Sequence, residues 1–587
     1  MNDIILINAH QNVLGVGGQT LSINIGLSLL AALIKKNGFR VRILRSCTHQ
    51  VMEWAESVMR EEGFRCAGFY CDSENYIHVR HLIKKVKDRW NIPVFAGGPQ
   101  AYFLDEEFFK KSGCDAVVRG EAEYTLLELL RHYITGEKEL SQIAGITFSG
   151  GSATLIKNPD RPPIADLDSL PFPDYLMEKS HPQWSGFPVM TGRGCPYRCA
   201  FCYEGGMSGG IRFRSVANVI DEIRYHFDRH PKSRYVFFSD DTFTTDPRRV
   251  EAISIELAKL RKEKDFIWYC LGHVRPLYKN PELLKIMAES GLGKIFLGIE
   301  SGNDDILKKY GKLTDVNMIE SVVNNAVEAG VPQISGNIIM GGYMSCVESH
   351  KKDLDLAERL MRMGPGKVEI GASFLVPYQG TAIRRDPESF GLRLLLEREE
   401  HSLTDIPLTE TVNMPWERLN AAVLDFNKRI YSLMKKMYLN GEVSRNTIRQ
   451  HYNMAIKYNF YSGWVMRIFS ADTIIDGYYK LLASNFITGS ADIAQEEIGS
   501  WRPLRVFDIC GTLEYKGQEA FINGLKLSEL EYDLILRCSG KCRCSDVYRA
   551  AREKFMAAVP GEIEFASAFE AAMKKFEDFR WIGYSRF

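Results

Sequence analysis

The feature that most constrains the fold is an alternation of short apolar runs with amphipathic helical patterns, which begins at the N-terminus. Within residues 1–150 the apolar runs fall at residues 4–7, 41–44, 66–70, 94–96 and 116–118. Between the first two runs, Ile25, Leu29 and Leu33 recur at helical spacing, and Gly38 ends the pattern. This alternation predicts a doubly wound parallel sheet that binds ligands at the carboxyl ends of its strands. The stretch at residues 15–18 lacks the G-x-G-x-x-G spacing and predicts a loop rather than a dinucleotide site.

The same alternation resumes over residues 188–394. Its six apolar runs fall at residues 188–191, 235–239, 266–271, 294–299, 334–340 and 368–376. Six strand–helix units predict a (β/α)6 partial TIM barrel, with chemistry at the C-terminal ends of the strands. The prolines within residues 151–187 predict a linker that joins the two α/β domains.

The C-terminal part of the chain has a different character. Strand patterns vanish over residues 395–502, which predicts a helical region. Residues 503–587 predict a small winged-helix-like domain, with helices around a Gly-containing turn and a terminal strand. The fold class is therefore α/β, with a helical region and a small domain at the C-terminal end.

Charge and hydropathy disfavour several classes of protein. The 587 residues contain 74 Lys and Arg and 74 Asp and Glu, so there is no net positive charge to attract nucleic acid. No run of 18 apolar residues occurs, so no membrane-spanning helix is predicted. The N-terminus lacks the basic region and cleavage site of a secretory signal. The 13 cysteines are therefore expected to be reduced, in a cytoplasmic protein without nucleic-acid or membrane partners.

Three of these cysteines form the strongest chemical motif. Cys195, Cys199 and Cys202 have the spacing C-x3-C-x2-C and follow the first predicted strand of the barrel. Three thiolates on one loop can bind three irons of a four-iron cluster and leave the fourth iron open. The alternative is a zinc knuckle, but a structural zinc site usually needs four ligands and no nearby His or Cys supplies the fourth.

This loop resembles that of the radical SAM superfamily. The resemblance implies that the open iron binds S-adenosylmethionine (SAM), which an electron cleaves to a 5′-deoxyadenosyl radical. It also implies SAM-positioning roles for Asp240 and Asp241 after the second strand, Arg275 after the third, and Glu300 and Ser301 after the fourth. Residues 336–342 and 374–381 resemble the ends of the fifth and sixth strands of the family. Each acidic residue also has a structural interpretation, as a helix cap or an ion-pair partner.

A parallel α/β domain ahead of such a barrel resembles the cobalamin-dependent subclass. The resemblance implies that cobalamin lies in the crevice of residues 1–150. The candidate contacts are Asn8, Ser73, Tyr76, Gly97, Gly98, Pro99, Gln100, Gly120 and Glu121. Glycines after strands allow close approach of a flat cofactor or its nucleotide tail. The D-x-H-x-x-G motif that supplies a cobalt ligand in many cobalamin proteins is absent from this domain, and Tyr76 is the candidate that covers the lower face of cobalt.

Two further cysteine groups leave alternatives open. Methylthiotransferases also place an α/β domain before this barrel, and Cys47, Cys66, Cys71 and Cys114 make a second cluster there conceivable. Cys538, Cys542 and Cys544 form C-x3-C-x-C, which is either structural or another cluster. The domain that contains them resembles small peptide-binding domains of ribosomal-peptide maturases, which bind by strand addition.

The resulting hypothesis is a cobalamin-dependent radical SAM methyltransferase that acts on an unactivated carbon of a natural product or a ribosomal peptide. Its cofactors are a 4Fe-4S cluster, SAM and cobalamin, and its electron donor is a flavodoxin or ferredoxin. Cyclisation, rearrangement and methylation at phosphorus are the alternatives within the subclass. A non-catalytic cobalamin- or peptide-binding protein is the alternative outside it.

Overall fold

The computed structural model describes residues 1–10, 24–151, 154–175, 185–204, 210–396, 406–517, 519–559 and 561–586. The loop predicted at residues 15–18 lies outside these ranges. The described residues form two compact units, which comprise residues 1–433 and 434–587. Within the described residues, none of the helices combines the length and the apolar composition needed to cross a membrane.

The first unit begins with a seven-stranded sheet in the order β2-β1-β3-β4-β5-β6-β7. Its strands are β1 (Asn2–His10), β2 (Val41–Cys47), β3 (Phe64–Tyr70), β4 (Val94–Gly97), β5 (Ala116–Val118), β6 (Ile146–Ser149) and β7 (Leu155–Lys157). The first five strands are parallel, as predicted, and β6 and β7 are antiparallel. The predicted linker therefore begins with a strand, because its prolines start only at Pro159 and the Gly150-Gly151 turn favours a hairpin.

Helices cover both faces of this sheet. They are α1 (Ile25–Lys36), α2 (Val51–Glu61), α3 (Tyr76–Trp90), α4 (Pro99–Phe103), α5 (Asp105–Ser112) and α6 (Ala122–Leu130). One apolar core lies between the sheet and α1 and α6, and a second lies between the sheet and α2, α3 and α5. The α1 pattern read from the sequence is confirmed, and its C-terminal Asn37 precedes Gly38 in the left-handed region.

A second parallel sheet follows, in the order β15-β14-β13-β12-β11-β8. Its strands are β8 (Gly186–Val189), β11 (Tyr235–Phe238), β12 (Ile267–Gly272), β13 (Leu292–Glu300), β14 (Gln333–Met340) and β15 (Val368–Phe374). The strands neighbour one another in sequence order and every pairing is parallel, which confirms the partial barrel. A short antiparallel pair, β9 (Gly192–Arg193) and β10 (Arg212–Phe213), follows β8 at its carboxyl end.

The barrel helices alternate with these strands. They are α7 (Val216–Arg229), α8 (Pro247–Leu260), α9 (Val274–Lys279), α10 (Glu282–Glu289), α11 (Asp304–Lys309), α12 (Val316–Glu328), α13 (Val347–Met363) and α14 (Ala382–Arg385). A short antiparallel pair, β16 (Arg393–Leu394) and β17 (Thr409–Glu410), follows, and then α15 (Trp416–Leu439).

The second unit is mostly helical. Its helices are α16 (Arg445–Tyr458), α17 (Gly463–Arg467), α18 (Thr473–Ala483), α19 (Ile509–Thr512), α20 (Glu529–Arg537), α21 (Cys544–Phe555) and α22 (Glu562–Asp578). Its strands are β18 (Arg502–Arg505), β19 (Leu513–Lys516), β20 (Glu519–Ile522), β21 (Leu525–Lys526) and β22 (Ile582–Ser585). Ile474 and Ile493 belong to the same apolar core as Ile522 and Phe576, so residues on both sides of position 502 pack together.

Candidate active site

The three predicted cluster ligands lie on the loop that follows β9. Cys195, Cys199 and Cys202 are all partly exposed, and the Cys202 amide donates to the Cys199 carbonyl at 3.0 Å. Burial raises the pKa of the Cys199 thiol to about 11 and that of the Cys202 thiol to about 12. Because thiolates are the metal ligands, assembly of a cluster on this loop must release protons.

The donor set of this loop fits an iron–sulfur cluster. Its three cysteines lie within eight residues, and thiolates are the usual ligands of such clusters. Each thiolate of a four-iron cluster binds a different iron, so three of them leave one iron open. The residues present therefore fit a cluster with three protein ligands.

The adjacent acidic residues Asp240 and Asp241, just after β11, have different environments. Asp240 is buried and accepts hydrogen bonds from the amides of Thr191 (2.8 Å) and Gly192 (2.5 Å) and from the Thr191 hydroxyl (2.9 Å). Burial raises the pKa of Asp240 to about 6. Asp241 is exposed and accepts from the Gly194 amide at 3.2 Å. Asp240 thus shapes the backbone before the cysteines, and Asp241 retains lone pairs for a ligand.

Glu300 ends β13 in an unusual backbone conformation. Its φ is +66°, which is uncommon for a residue other than glycine and is often found at functional sites. Its Oε1 accepts from the buried Nζ of Lys312 at 2.7 Å. A Cβ at position 298 would lie 2.3 Å from that Nζ, so any larger residue there would displace the Lys312 side chain. Lys312 also lies near Cys199 and opposes the effect of burial on its pKa. No pattern in the sequence had singled out Lys312.

Ser301 directly follows the end of β13, and its side chain is buried. It is 1% exposed, and its hydroxyl donates to Asp353 Oδ1 at 2.8 Å. The Gly302 amide donates to the same oxygen at 2.6 Å. The Ser301 hydroxyl is therefore engaged by a buried carboxylate on α13, and the predicted SAM contact by Ser301 stays a prediction.

Arg275 follows β12, as the sequence predicted. It is half-buried, and its guanidinium makes no hydrogen bond or ion pair with the described part of the chain. The preceding His273 caps α9, with Nδ1 accepting from the Arg275 amide at 3.2 Å. The His273 ring stacks on Tyr197 of the cysteine loop, with centroids 3.8 Å apart. An unpaired guanidinium beside this loop fits a carboxylate ligand.

The N-terminal sheet holds a cavity of about 210 Å³ on its α1 and α6 side. The residues that line it include Asn24, Leu27, Tyr70, Gly97, Gly98, Gly120, Glu121, Glu123 and Arg193. A Cβ at Gly120, whose φ is +74°, would meet no atom within 4 Å and would project into open space. A Cβ at Gly98 would lie 2.5 Å from the Cys71 carbonyl oxygen. The first glycine leaves room for a ligand, and the second allows two backbone segments to approach closely.

The other predicted cobalamin contacts lie outside the lining of this cavity. Asn8 is in β1, Ser73 is in the turn after β3, and Pro99 and Gln100 begin α4. Tyr76 packs against Phe108 of α5, with centroids 5.8 Å apart, and its hydroxyl donates to Glu107 at 3.3 Å. The role of Tyr76 at the lower face of cobalt therefore remains a prediction.

Asn75 is a positioning residue that sequence reasoning missed. It is 3% exposed, and its Nδ2 donates to the carbonyl oxygens of Ala9 (2.9 Å) and Tyr70 (3.1 Å). Its Oδ1 accepts from the Asp72 amide at 2.9 Å. Asn75 therefore joins the carboxyl ends of β1 and β3. An Asp-x-x-Asn pattern after a strand is the signal that could have identified this turn.

An aromatic contact connects the N-terminal domain with the cysteine loop. The ring of Phe103 in α4 lies 5.8 Å from that of Tyr203, which in turn lies 6.0 Å from Tyr378, after β15. A Cβ at Gly380 would lie 2.1 Å from the Phe103 ring, so glycine is needed where the barrel meets α4. The helix α4 of the N-terminal domain and the cysteine loop therefore meet within one compact unit.

The cysteines of the N-terminal domain and of the C-terminal unit are arranged differently from those of the cysteine loop. Cys66 lies in the core on the α1 and α6 side of the sheet, whereas Cys71 and Cys114 lie in the core on the other side. The sheet separates them, which disfavours a second cluster in this domain. In the C-terminal unit, Cys538 and Cys544 are buried in its apolar core and Cys542 is exposed. Those two buried thiols therefore pack as apolar side chains.

Family models match both halves of this site. Residues 189–357 match the radical SAM superfamily, and residues 13–130 match the B12 binding domain. An uncharacterized methyltransferase of Pyrococcus horikoshii is 29% identical over 389 residues, which cover 65% of this chain and 79% of that protein. The cytidylyl-2-hydroxyethylphosphonate methyltransferase of Streptomyces wedmorensis is 27% identical over 342 residues, and the match covers 49% of this chain and 63% of that protein.

Solved structures share the fold. The radical SAM methyltransferase TsrM of Kitasatospora setae, with cobalamin and a [4Fe-4S] cluster bound, has a TM-score of 0.61 at 15% identity and covers 80% of this chain and 98% of its own. The cobalamin-dependent SAM radical enzyme OxsB has a TM-score of 0.59 at 15% identity and covers 99% of this chain and 84% of its own.

The fold and the site define a radical SAM enzyme that carries a B12-binding domain. The chain belongs to the cobalamin-dependent radical SAM enzymes. Its cofactors are a 4Fe-4S cluster, SAM and cobalamin, as the sequence predicted. The assignment of individual side chains to each cofactor remains a prediction.

Proposed function

We propose that this enzyme transfers a methyl group to an unactivated carbon of a small molecule or a peptide. The observation that carries the proposal is the junction at Phe103, Tyr203 and Tyr378, where the cobalamin domain and the cysteine loop meet. A carbon radical reacts productively only when the methyl donor lies close by, and the contact between the two domains at this junction supports such proximity. The named methyltransferases among the relatives support the same reaction.

When bound, the cluster and SAM supply a 5′-deoxyadenosyl radical and cobalamin supplies the methyl group. The chain supplies orientation. Cys195, Cys199 and Cys202 would hold the cluster. Within the described part of the chain, the Asp241 carboxylate accepts one hydrogen bond and the Arg275 guanidinium makes none, so the two side chains suit the ammonium and the carboxylate of SAM. The glycines of the 210 Å³ cavity suit a part of cobalamin.

Product ratios distinguish methylation from the other reactions of the subclass. A radical methylation consumes two SAM molecules and releases S-adenosylhomocysteine and 5′-deoxyadenosine in equal amounts. A cyclisation or rearrangement releases 5′-deoxyadenosine without S-adenosylhomocysteine. Anaerobically reconstituted enzyme, a reductant such as flavodoxin or ferredoxin, and candidate substrates should give both products, together with substrate that carries the deuterated methyl of labelled SAM. The Cys202→Ala variant should give neither product, while Cys270→Ala, which removes a buried thiol elsewhere in the barrel, should retain both.

A peptide substrate is a further part of the proposal, and the C-terminal unit supports it in two ways. The outer edge of β19 is unpaired among the described residues, and Tyr515 on this strand is 58% exposed. Such an edge suits strand addition. The same unit holds a cavity of about 640 Å³ between α16, α18, α22 and β22.

Hydrogen exchange of the full chain tests the peptide hypothesis directly. A bound precursor peptide should protect the amides of residues 513–516. Protection at Arg445, Arg449 and Arg580 instead would place the peptide in the cavity. Protection at neither place would contradict a peptide site in this unit and leave a small molecule as the substrate.

A further inference from the structure

The backbone before the cluster ligands carries a charged group that belongs to two domains. Arg193 lies in β9, two residues before Cys195, and Arg212 lies directly opposite it in β10. Their carboxylate partners are Glu121 and Glu123, at the start of α6 in the N-terminal domain. We call these four residues the arginine latch.

Glu121 has no capacity left for a cofactor. Its Oε1 accepts from Arg212 Nη2 at 2.7 Å and lies 3.1 Å from Arg193 Nη1. Its Oε2 accepts from the Ile164 amide at 2.6 Å and from Arg212 Nη1 at 3.1 Å. A carboxylate accepts about four hydrogen bonds, so all of its acceptor sites are used within the protein. Although burial disfavours its charge, the arginines hold the pKa of Glu121 below its ordinary value.

The latch also resolves a local conflict of charge. Arg193 and Arg212 are cross-strand neighbours, and like charges in that position repel. Both side chains are largely buried, with 13% and 18% of their surface exposed. Glu121 binds both guanidinium groups, and Glu123, whose side chain is 7% exposed, binds the free end of Arg193. Without these two carboxylates, the β9–β10 pair would have two buried cations facing each other.

We propose that the arginine latch fixes the position of the cluster relative to the cobalamin domain, and that Glu121 and Glu123 are positioning residues rather than cofactor ligands. The reason is geometric. The arginines of the latch lie in the β9–β10 pair, and β9 leads directly into Cys195. The glutamates of the latch lie at the start of α6, beside Gly120 and the 210 Å³ cavity. The distance between the two cofactors is therefore set by an ion-pair network on one side and by the Phe103–Tyr203 contact on the other.

The test compares Glu121→Gln/Glu123→Gln with the wild type and with Glu263→Gln. Glutamine keeps the shape and removes the charge. Glu263 pairs with Arg224 in an exposed ion pair of the barrel, so it controls for loss of an ion pair as such. The readout needs no substrate and so does not depend on the methylation proposed above.

In enzyme loaded with both cofactors and poised so that cob(II)alamin and the reduced cluster are both paramagnetic, power saturation of the cobalt EPR signal reports the interaction between the two centres. We expect the double variant to weaken this interaction and Glu263→Gln to preserve it. A double variant that binds both cofactors and retains the wild-type interaction would overturn the proposal.

The cofactor-free chain provides the second measurement, so that poor loading of a variant does not leave the matter open. Amides of residues 192–194 and 212–214 should exchange roughly tenfold faster or more in the double variant, because the strand pair opens locally. Wild-type exchange at those amides would contradict the latch. Faster exchange throughout residues 1–433 would likewise contradict it, because it would show a general loss of stability.

Discussion

The two ends of the cluster-binding loop differ in how their polar groups are satisfied. Before Cys195, the amides of Thr191, Gly192 and Gly194 all donate to Asp240 or Asp241. After Cys202, the hydroxyls of Tyr203 and of its neighbour Tyr378 make no hydrogen bond within the described residues. A segment whose polar groups all form hydrogen bonds within the protein keeps a fixed conformation. Polar groups in a cleft that have no protein partner are available to a ligand. The protein itself therefore holds the N-terminal flank in place, and we expect the C-terminal flank to face a ligand.

The largest expected effect is on the N-terminal flank. Asp240→Ala leaves two buried amides and the Thr191 hydroxyl without their acceptor, so we expect it to lower the free energy of unfolding by about 3 kcal/mol or more. Urea unfolding of the cofactor-free chain measures this. Asp241→Ala, one residue away and exposed, should cost less than about 1 kcal/mol. Equal decreases in the free energy of unfolding of the two variants would contradict the different structural roles of Asp240 and Asp241.

The pH dependence of stability provides a second test of the role of Asp240. The pKa of Asp240 is about 6 in the folded chain against an ordinary value of 3.8, so the unfolded state releases its proton first. Folding stability contributed by this group is therefore present below about pH 4 and is lost as pH rises through about 6. The loss is on the order of 2–3 kcal/mol. Asp240→Asn should flatten this part of the curve, measured as the difference from wild type between pH 4 and 7.

A variant at Arg275 tests whether its guanidinium binds SAM. Replacing it with Leu should weaken SAM binding by roughly 10- to 100-fold, which corresponds to the loss of one charge-assisted hydrogen-bonded contact. Equilibrium dialysis with labelled SAM on the reconstituted enzyme measures this. Because the guanidinium has no hydrogen-bond or ion-pair partner among the described residues, the free energy of unfolding should change by less than about 0.5 kcal/mol. Unchanged SAM affinity would remove Arg275 from the site.

The smallest expected effect on stability is on the C-terminal flank. Tyr203→Phe keeps the ring contacts with Phe103 and Tyr378 and removes only an unpaired hydroxyl, so unfolding should be unchanged within about 0.5 kcal/mol. The ratio of methylated product to 5′-deoxyadenosine should fall, because the substrate would be held less well at the junction. A variant that keeps both the stability and the product ratio would show that this hydroxyl faces no ligand.

Local patterns in the sequence were sufficient for the two parallel sheets. The apolar runs identified the five parallel strands of the first sheet and the six of the second, because parallel strands covered by helices carry near-continuous apolar runs. The cysteine spacing predicted the cluster loop, because three ligands within eight residues need no long-range contact to come together. The strands β6 and β7 were missed, since four and three residues carry too little pattern to stand out beside the prolines that follow.

The sequence by itself determined the two parallel sheets and the cofactors, and it predicted the strand ends at which the cofactor-binding residues lie. Only the tertiary structure decided which polar side chains at those strand ends form hydrogen bonds within the protein and which stay available to a ligand. Asp240 and Asp241 are indistinguishable in the chain, yet one is buried against Thr191 and the other is exposed. Glu121 matches a cofactor motif, yet its carboxylate binds Arg212, which is 91 residues away. The physical reason is that a carboxylate's role depends on which donors surround it, and donors distant in sequence are brought together only by the packing of domains.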